Sequence, residues 1–175
     1  MCMHRALLLG TALCSLLTAG SAAGETPGLG RELSPQDVVA VDVVIMPDGE
    51  GLPAGSGNAK TGAMLYQARC ASCHGSEGRD GIHDALAGGQ GTIDGPMPDK
   101  TVGSYWPYAT TLFDYVRRAM PYQNPGSLSN DELYSITAYV LYLNGIVGET
   151  DTIDAGSLPK VRMPNRDNFA WKVER

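Results

Sequence analysis

RCASCHGSEG, residues 69–78, contains two cysteines separated by two residues and followed directly by a histidine. This C-x-x-C-H spacing is typical of covalent haem c attachment. Two thiols on adjacent turns can each form a thioether with a vinyl group of the porphyrin, and the next residue can then present an imidazole to the iron. The pattern therefore predicts one haem c, attached through Cys70 and Cys73, with His74 as an axial ligand.

Two other uses of the cysteine pair fit the sequence less well. A redox-active dithiol is expected near a βαβ pattern, and no such pattern surrounds residues 70–74. A zinc site would need two further nitrogen or sulfur ligands, and beyond the N-terminal segment only His83 remains to supply one. Haem c attachment is therefore the favoured interpretation.

The first 23 residues have the features of a secretory signal peptide. Arg5 is the only full charge before Glu25, an apolar run of about 12 residues covers 6–17, and small residues precede a cleavage site near Ala23. The run is too short to cross a bilayer comfortably as a helix. We therefore expect a periplasmic protein with no stable membrane insertion after cleavage, and a retained anchor is the alternative.

The charge balance argues against nucleic acid as a partner. The chain has 13 Lys and Arg against 19 Asp and Glu, a net charge of −6, and loss of Arg5 with the signal leaves 12 against 19, or −7. Nucleic-acid binding depends on basic patches that neutralise phosphates. No catalytic triad, phosphate-binding loop or acid–base pair appears either, so we expect no catalytic residues and no enzyme activity of this chain by itself.

The first half of the chain combines Gly- and Pro-rich segments with one clear helix. In the N-terminal extension, the apolar run DVVAVDVVIM (37–46) is expected to be extended or strand-like. Asn58 can cap a first helix over roughly 59–71, in which Gly62 would permit a close backbone approach. Residues 75–104 show little periodicity and many glycines, which indicates a long loop that wraps around something.

Two further helices follow that loop. The second is predicted over roughly 110–118, between prolines at positions 107 and 121. The third starts with a capping box formed by Ser129 and Glu132 and ends at Asn144. Three short helices bury little apolar surface by themselves, so a bound macrocycle would have to complete the core.

These elements divide the chain into four predicted segments. They are a signal peptide (1–23), an N-terminal extension (24–57), a haem domain (58–145) and a C-terminal extension (146–175). The predicted fold class is all-α, with three main helices around a covalent haem and irregular extensions at both ends.

The second axial position of a haem iron is commonly filled by a methionine thioether. Four methionines precede a proline, and they are Met46, Met97, Met120 and Met163. Met120 is favoured, because Pro121 forces it out of helical geometry and directs its side chain off the helix end. Met97, in the Gly-rich loop, is the alternative. His83, expected to be exposed, is a less favoured ligand.

SYWPY, residues 104–108, can form part of the surroundings of the cofactor. Tyr105 and Trp106 carry ring donors that can bind haem propionates, and Arg117 or Arg118 can pair with the propionate charge. Aromatic packing in the core explains the two aromatic residues equally well. Tyr105, Trp106 and Arg117 are therefore candidate propionate contacts.

Several of these motifs resemble class I cytochromes c. The similar segments are CASCH, Gly62 with Tyr66 in the first helix, RRAMP, and DELYSITAYVLYLN. The resemblance implies that the first and last helices cross closely, at Gly62 and Tyr139. It also implies a backbone carbonyl that accepts a hydrogen bond from the haem histidine. At that position the family commonly has proline, whereas this chain has Asp84.

A narrower resemblance is to the haem-c subunit of bacterial sulfite and sulfur dehydrogenases, including that of the thiosulfate-oxidising Sox system. GLGRELSPQDV, MPDGEGLPAGSG, KTVGSYWPYATTLFDYVRRAMP and LPKVRMPNRD are similar to segments of that group. The resemblance implies a molybdenum-containing partner subunit that oxidises a sulfur compound and passes electrons singly to this haem. Sox-system relatives often carry a second haem domain, whereas this chain has one C-x-x-C-H.

We therefore expect a periplasmic electron-transfer cytochrome, the haem subunit of a dehydrogenase, which reduces a downstream cytochrome or oxidase. A free electron shuttle to a terminal oxidase is the first alternative, although a minimal shuttle does not need the two extensions. A haem sensor or peroxidase with an open iron site is the second alternative, and a six-coordinate His/Met spectrum would exclude it.

Overall fold

The computed structural model describes residues 29–169, which form two compact units divided between Ala40 and Val41. The predicted signal peptide (1–23) and its cleavage site lie outside the described residues. Within residues 29–169, no helix has the length and apolar character needed to cross a membrane.

The N-terminal extension contains a short helix, α1 (Pro35–Val41). The prediction of an extended or strand-like run over 37–46 is therefore wrong for its first half, and only residues 42–46 are non-helical. The N–H of Asp37 donates to Ser34 Oγ, and the N–H of Ser34 donates to Asp37 Oδ2, which is a reciprocal helix cap. This cap, with proline at the first helical position, outweighs the strand preference of the valines.

Four helices build the second unit, and they are α2 (Ala59–Arg69), α3 (Ala71–His74), α4 (Ala109–Ala119) and α5 (Asn130–Leu143). The three predicted helices correspond to α2, α4 and α5. Their ends follow the predicted caps, because Asn58 Oδ1 accepts from the N–H of Thr61 at 2.9 Å and Ser129 forms the capping box with Glu132.

Helices α2 and α5 cross at Gly62. A Cβ at this position would lie 1.9 Å from the carbonyl oxygen of Ser135 and 2.9 Å from Tyr139 Cβ, so only glycine lets the two backbones approach this closely. One turn along α2, Tyr66 is fully buried, and its ring centroid lies 5.1 Å from that of Tyr139. The predicted crossing at Gly62 and Tyr139 is confirmed.

Regular structure outside the helices is short. β1 (Ser56–Gly57) and β2 (Ile153–Asp154) form a two-stranded antiparallel pair, and Leu158–Lys160 form a single 3-10 turn. Residues 75–104 contain neither helix nor strand, as predicted.

Parts of both predicted extensions contribute to the core of the second unit. Ile45 lies before the predicted haem domain, and Leu158 and Met163 lie after it, and all three are buried in one hydrophobic cluster with side chains of α4 and α5. The core is therefore larger than three helices alone would supply. The boundaries at residues 58 and 145 stay a prediction.

Candidate haem-binding site

A cavity of about 440 Å³ lies among α2, α4, α5 and the 75–104 loop. The predicted haem residues Cys70, Cys73, His74 and Met120 all line it. Its apolar walls include Leu86, Val102, Leu112, Val116, Ile136 and Val140. Paired thiols, an imidazole and a thioether within apolar walls are the donor set and surroundings that a covalently attached haem requires, so the residues present fit haem c.

The cysteine pair lies where α2 ends and α3 begins. The N–H of Cys70 donates to the Tyr66 carbonyl at 2.8 Å, and the N–H of Cys73 donates to the Cys70 carbonyl at 3.1 Å. Both side chains are half-buried free thiols. Burial raises the pKa of the Cys70 thiol to about 11, which keeps it protonated near neutral pH before attachment.

His74 has a defined orientation at the end of α3. Its Nδ1 lies 2.9 Å from the backbone carbonyl oxygen of Asp84. Because a carbonyl oxygen can only accept, Nδ1 carries the proton and Nε2 is left free to bind a metal. The expected backbone acceptor is therefore present, although aspartate stands where the family commonly has proline.

The turn after His74 is fixed by a buried tyrosine and by close backbone packing. The hydroxyl of Tyr66 donates to the Gly75 carbonyl at 3.1 Å, and burial raises the pKa of this phenol. Gly75 has a positive φ of 77°, and a Cβ there would lie 1.7 Å from the Arg79 carbonyl oxygen. Neither role is visible in the sequence, because the contacts join residues whose spacing follows no helical or strand period.

Met120 follows α4 in an extended conformation, with φ −125° and ψ 149°, as expected for a residue before proline. Val116, one turn earlier, lines the same cavity. Met97 is 87% exposed and is not among the lining residues. The structure therefore brings Met120, and not Met97, to the cavity with His74. The binding of its sulfur to iron stays a prediction.

Trp106 alone among the candidate propionate contacts lines the cavity. Its ring packs edge-to-face against Tyr115, with centroids 5.8 Å apart. Tyr105 does not line the cavity, and its ring contacts Phe169 at a centroid distance of 5.3 Å. For Tyr105 the geometry thus favours the alternative interpretation, aromatic packing.

The arginines of α4 do not line the cavity either. Arg117 is absent from its walls, and Arg118 is paired with Asp114 on the same helix. The cations that do line it are Arg69 and Lys100. Helical geometry explains the position of Arg117, because the residue after cavity-lining Val116 is rotated away from the cavity by about 100°.

His83 is exposed, as predicted, but its side chain also lines the cavity. Its ring centroid lies 6.3 Å from that of His74, and its backbone N–H donates to the Cys73 carbonyl at 3.0 Å. His83 is therefore a neighbour of the attachment motif, and its role as a ligand stays the less favoured prediction.

Comparison with known proteins agrees with this site. The model of the family described as "Cytochrome C oxidase, cbb3-type, subunit III" matches residues 57–140. A chain in the crystal structure of the sulfane dehydrogenase SoxCD from Paracoccus pantotrophus is similar, with 44% sequence identity and a TM-score of 0.75. The match covers 83% of this chain and 72% of that chain. A search of curated proteins gives no significant match.

The family match contains the whole attachment motif and extends through Met120, so it covers the elements that form the cavity. Together with the similarity to the SoxCD chain, it confirms the predicted class I cytochrome c fold, with three main helices around the cofactor, and supports covalent haem c as that cofactor. The chain therefore belongs to the cytochrome c family, as a monohaem member of the Sox type.

Proposed function

We propose that this protein is the electron-transfer subunit of a periplasmic dehydrogenase that oxidises a sulfur compound. The observation that carries the proposal is the 44% identity with a chain of SoxCD, which is a sulfane dehydrogenase. The sequence resemblance implies that the partner subunit contains molybdenum. The signal-like N-terminus supports export, because a charged residue, an apolar run and small residues occur in the order that secretion requires.

The residues of the cavity have separate roles in this proposal. Cys70 and Cys73 would hold the haem through thioethers, and His74 and Met120 would bind its iron. When bound, haem c supplies one-electron redox chemistry. Because the Asp84 carbonyl already orients His74, the chain offers a preformed imidazole that would hold the iron in a fixed position. Two protein ligands also leave no open position for an external ligand, which favours electron transfer over sensing or peroxidase chemistry.

The propionates require polar partners at the cavity. Tyr105 and Arg117 do not line it, so we assign this role to Trp106 together with Arg69 and Lys100, which do. Both cations are exposed, and ion pairs in water contribute little to stability. Their expected effect is on the redox potential, since positive charge near the haem favours the reduced state.

The decisive experiment is purification of the haem protein from its native periplasm at low salt, followed by metal analysis. We expect molybdenum in a one-to-one ratio with haem, and we expect sulfite or a reduced sulfur compound to reduce the haem in that preparation. The same preparation, after its subunits have been separated at high salt, is the matched control. In it the haem should no longer be reduced until the fractions are recombined.

A different result would identify the first alternative. If the cytochrome is isolated alone at low salt, and no molybdenum-containing fraction reduces it with sulfur substrates, the dehydrogenase assignment is wrong. The chain would then be a free shuttle.

A further inference from the structure

The side chain of Asn144 uses all of its hydrogen-bonding capacity inside the protein. It lies at the C-terminal end of α5 and is only 9% exposed. Its Nδ2 donates to the carbonyls of Val140 at 2.8 Å and Leu86 at 3.1 Å. Its Oδ1 accepts from the N–H of Gly88 at 3.1 Å and from Gln90 Nε2 at 3.2 Å. Three of these four bonds join the end of α5 to residues 86–90 of a distant loop, and a helix end does not require them.

The loop that Asn144 binds is the one that orients His74. The carbonyl of Asp84, which accepts from His74 Nδ1, lies two residues before Leu86. On the other side of Asp84, the backbone N–H of His83 donates to the Cys73 carbonyl. Asp84 therefore lies between two residues whose backbones are fixed by hydrogen bonds, His83 at the attachment motif and Leu86 at α5.

The side chain of Leu86 packs against the hydrophobic core, but few backbone hydrogen bonds besides the one from Asn144 hold its main chain. Its N–H donates to the Gly78 carbonyl at 2.8 Å, and its carbonyl accepts from the N–H of Val102 at 3.3 Å. Both partners lie in the same irregular loop region, so they cannot fix it to a helix. Of these contacts, the bond from Asn144 is the one that ties Leu86 to the rigid frame of α5.

We propose that Asn144 is a positioning residue for His74, acting through the 84–88 segment. By fixing Leu86 and Gly88 to α5, it sets the place of the Asp84 carbonyl and thus the strength of the hydrogen bond from His74 Nδ1. A strong bond at Nδ1 makes the imidazole a better donor at Nε2, which favours the oxidised iron. The inference rests on the proposed role of His74 as an axial ligand.

The test uses the full holoprotein with Asn144→Leu and Asn144→Ser, neither of which adds a charge near the haem. Leucine retains the approximate shape but can neither donate to Leu86 nor accept from Gly88, and serine retains only a short donor. Tyr134→Phe is the matched control, because it also removes a hydrogen bond from α5 to a loop carbonyl, that of Pro53 at 2.8 Å, but it leaves the 84–88 segment untouched. The readouts are the midpoint potential and the NMR signal of the His74 Nδ1 proton in the reduced protein.

We expect both Asn144 variants to raise the midpoint potential and to increase solvent exchange of the His74 Nδ1 proton. At the midpoint potential of the unmodified protein, the ratio of reduced to oxidised haem should rise about threefold, which corresponds to the partial loss of one hydrogen bond. Tyr134→Phe should lower stability without moving either readout.

Three results separate this inference from the proposed function. If folded Asn144 variants keep the potential and the proton signal of the unmodified protein, the positioning role is wrong. If no Asn144 variant folds, the residue is a general determinant of stability, and the inference is again overturned. If His74→Gln retains the imidazole-ligated spectrum, the ligand assignment itself fails, whatever the Asn144 variants show.

Discussion

The close crossing of α2 and α5 at Gly62 predicts a large loss of stability when this glycine is replaced. In Gly62→Ala, the new Cβ would lie 1.9 Å from the Ser135 carbonyl oxygen, and real Cβ atoms essentially never approach a heavy atom closer than 3.0 Å. The backbones of α2 and α5 would therefore have to separate by at least about 1.1 Å, the difference between these two distances. The clashing atom belongs to a helix backbone, so no side-chain rotation can relieve the contact.

The expected loss is the balance of three effects. Overpacking of a well-packed core costs roughly 1–3 kcal/mol. Separation of the helices also forfeits part of the dispersion energy between Tyr66 and Tyr139, since a gap of 0.5–1 Å removes about a quarter to a half of each contact. Against this, alanine is better than glycine within a helix by about 1 kcal/mol. We expect Gly62→Ala to lower the free energy of unfolding by about 1–2 kcal/mol.

The assay is urea unfolding of the oxidised holoprotein, followed by far-UV circular dichroism. Thr61→Ala is the matched control, because Thr61 is exposed on the same turn of α2 and its replacement improves helix propensity without touching α5. The control should unfold at the same or a slightly higher urea concentration than the unmodified protein. A Gly62→Ala protein with an unchanged or higher midpoint would refute the argument from close approach.

Three further predictions concern the iron ligand, the C-terminal extension and the capping box. Met120→Ala should open the sixth coordination position of the iron and lower the redox potential. Met97→Ala changes an exposed side chain and should alter neither the coordination nor the potential. Loss of the low-spin thioether spectrum in Met97→Ala would contradict the ligand assignment. Asn165→Ala should lower the free energy of unfolding in urea by about 1–3 kcal/mol, because the buried Nδ2 of Asn165 donates to the Tyr105 carbonyl at 2.7 Å. An unchanged urea midpoint would show that this contact of the C-terminal extension does not stabilise the protein. The capping hydrogen bonds lower the pKa of Glu132, so the stability that its carboxylate contributes is present above its ordinary pKa of 4.5 and is lost as the pH falls through the lowered value. Glu132→Gln should therefore reduce the thermal midpoint at pH 7 but not at strongly acidic pH. A difference in midpoint that does not depend on pH would disprove this.

The main helices and the attachment motif were predictable because their signals are local. Asn58, Ser129 and Glu132 satisfy helix N–H groups within three residues of their own positions, so a cap can be recognised without knowing the fold. The α1 helix was missed although Ser34 and Asp37 have the same spacing. The prediction for 37–46 rests on the valine-rich composition alone, whereas the cap is the stronger determinant of structure in this segment.

The polar surroundings of the cavity were not predictable in the same way. Its charge makes Arg117 a candidate propionate contact, but the walls of the cavity contain Arg69 and Lys100 instead. Lys100 reaches the cavity from an irregular loop, whose course no periodicity describes. Arg69 lies one residue before the cysteine pair, and that adjacency was the one signal in the sequence that pointed to it.

The irregular loop depends on buried polar side chains because it has little apolar surface of its own. Thr101 is almost fully buried, donates to the Gly88 carbonyl at 2.6 Å, and accepts from the N–H groups of Gly103 at 3.1 Å and Ser104 at 3.2 Å. Asn144 binds the same segment from α5. Such a network is stable only when each donor and acceptor is satisfied, so a single substitution displaces the backbone around it. The helices therefore provide the frame of the cavity, whereas a carbonyl of the loop orients His74. With His74 as the proposed iron ligand, the hydrogen bonds of the loop would also tune the redox potential. Differences in potential among cytochromes that share this helical frame should accordingly follow substitutions in the loop network more closely than substitutions in the apolar walls.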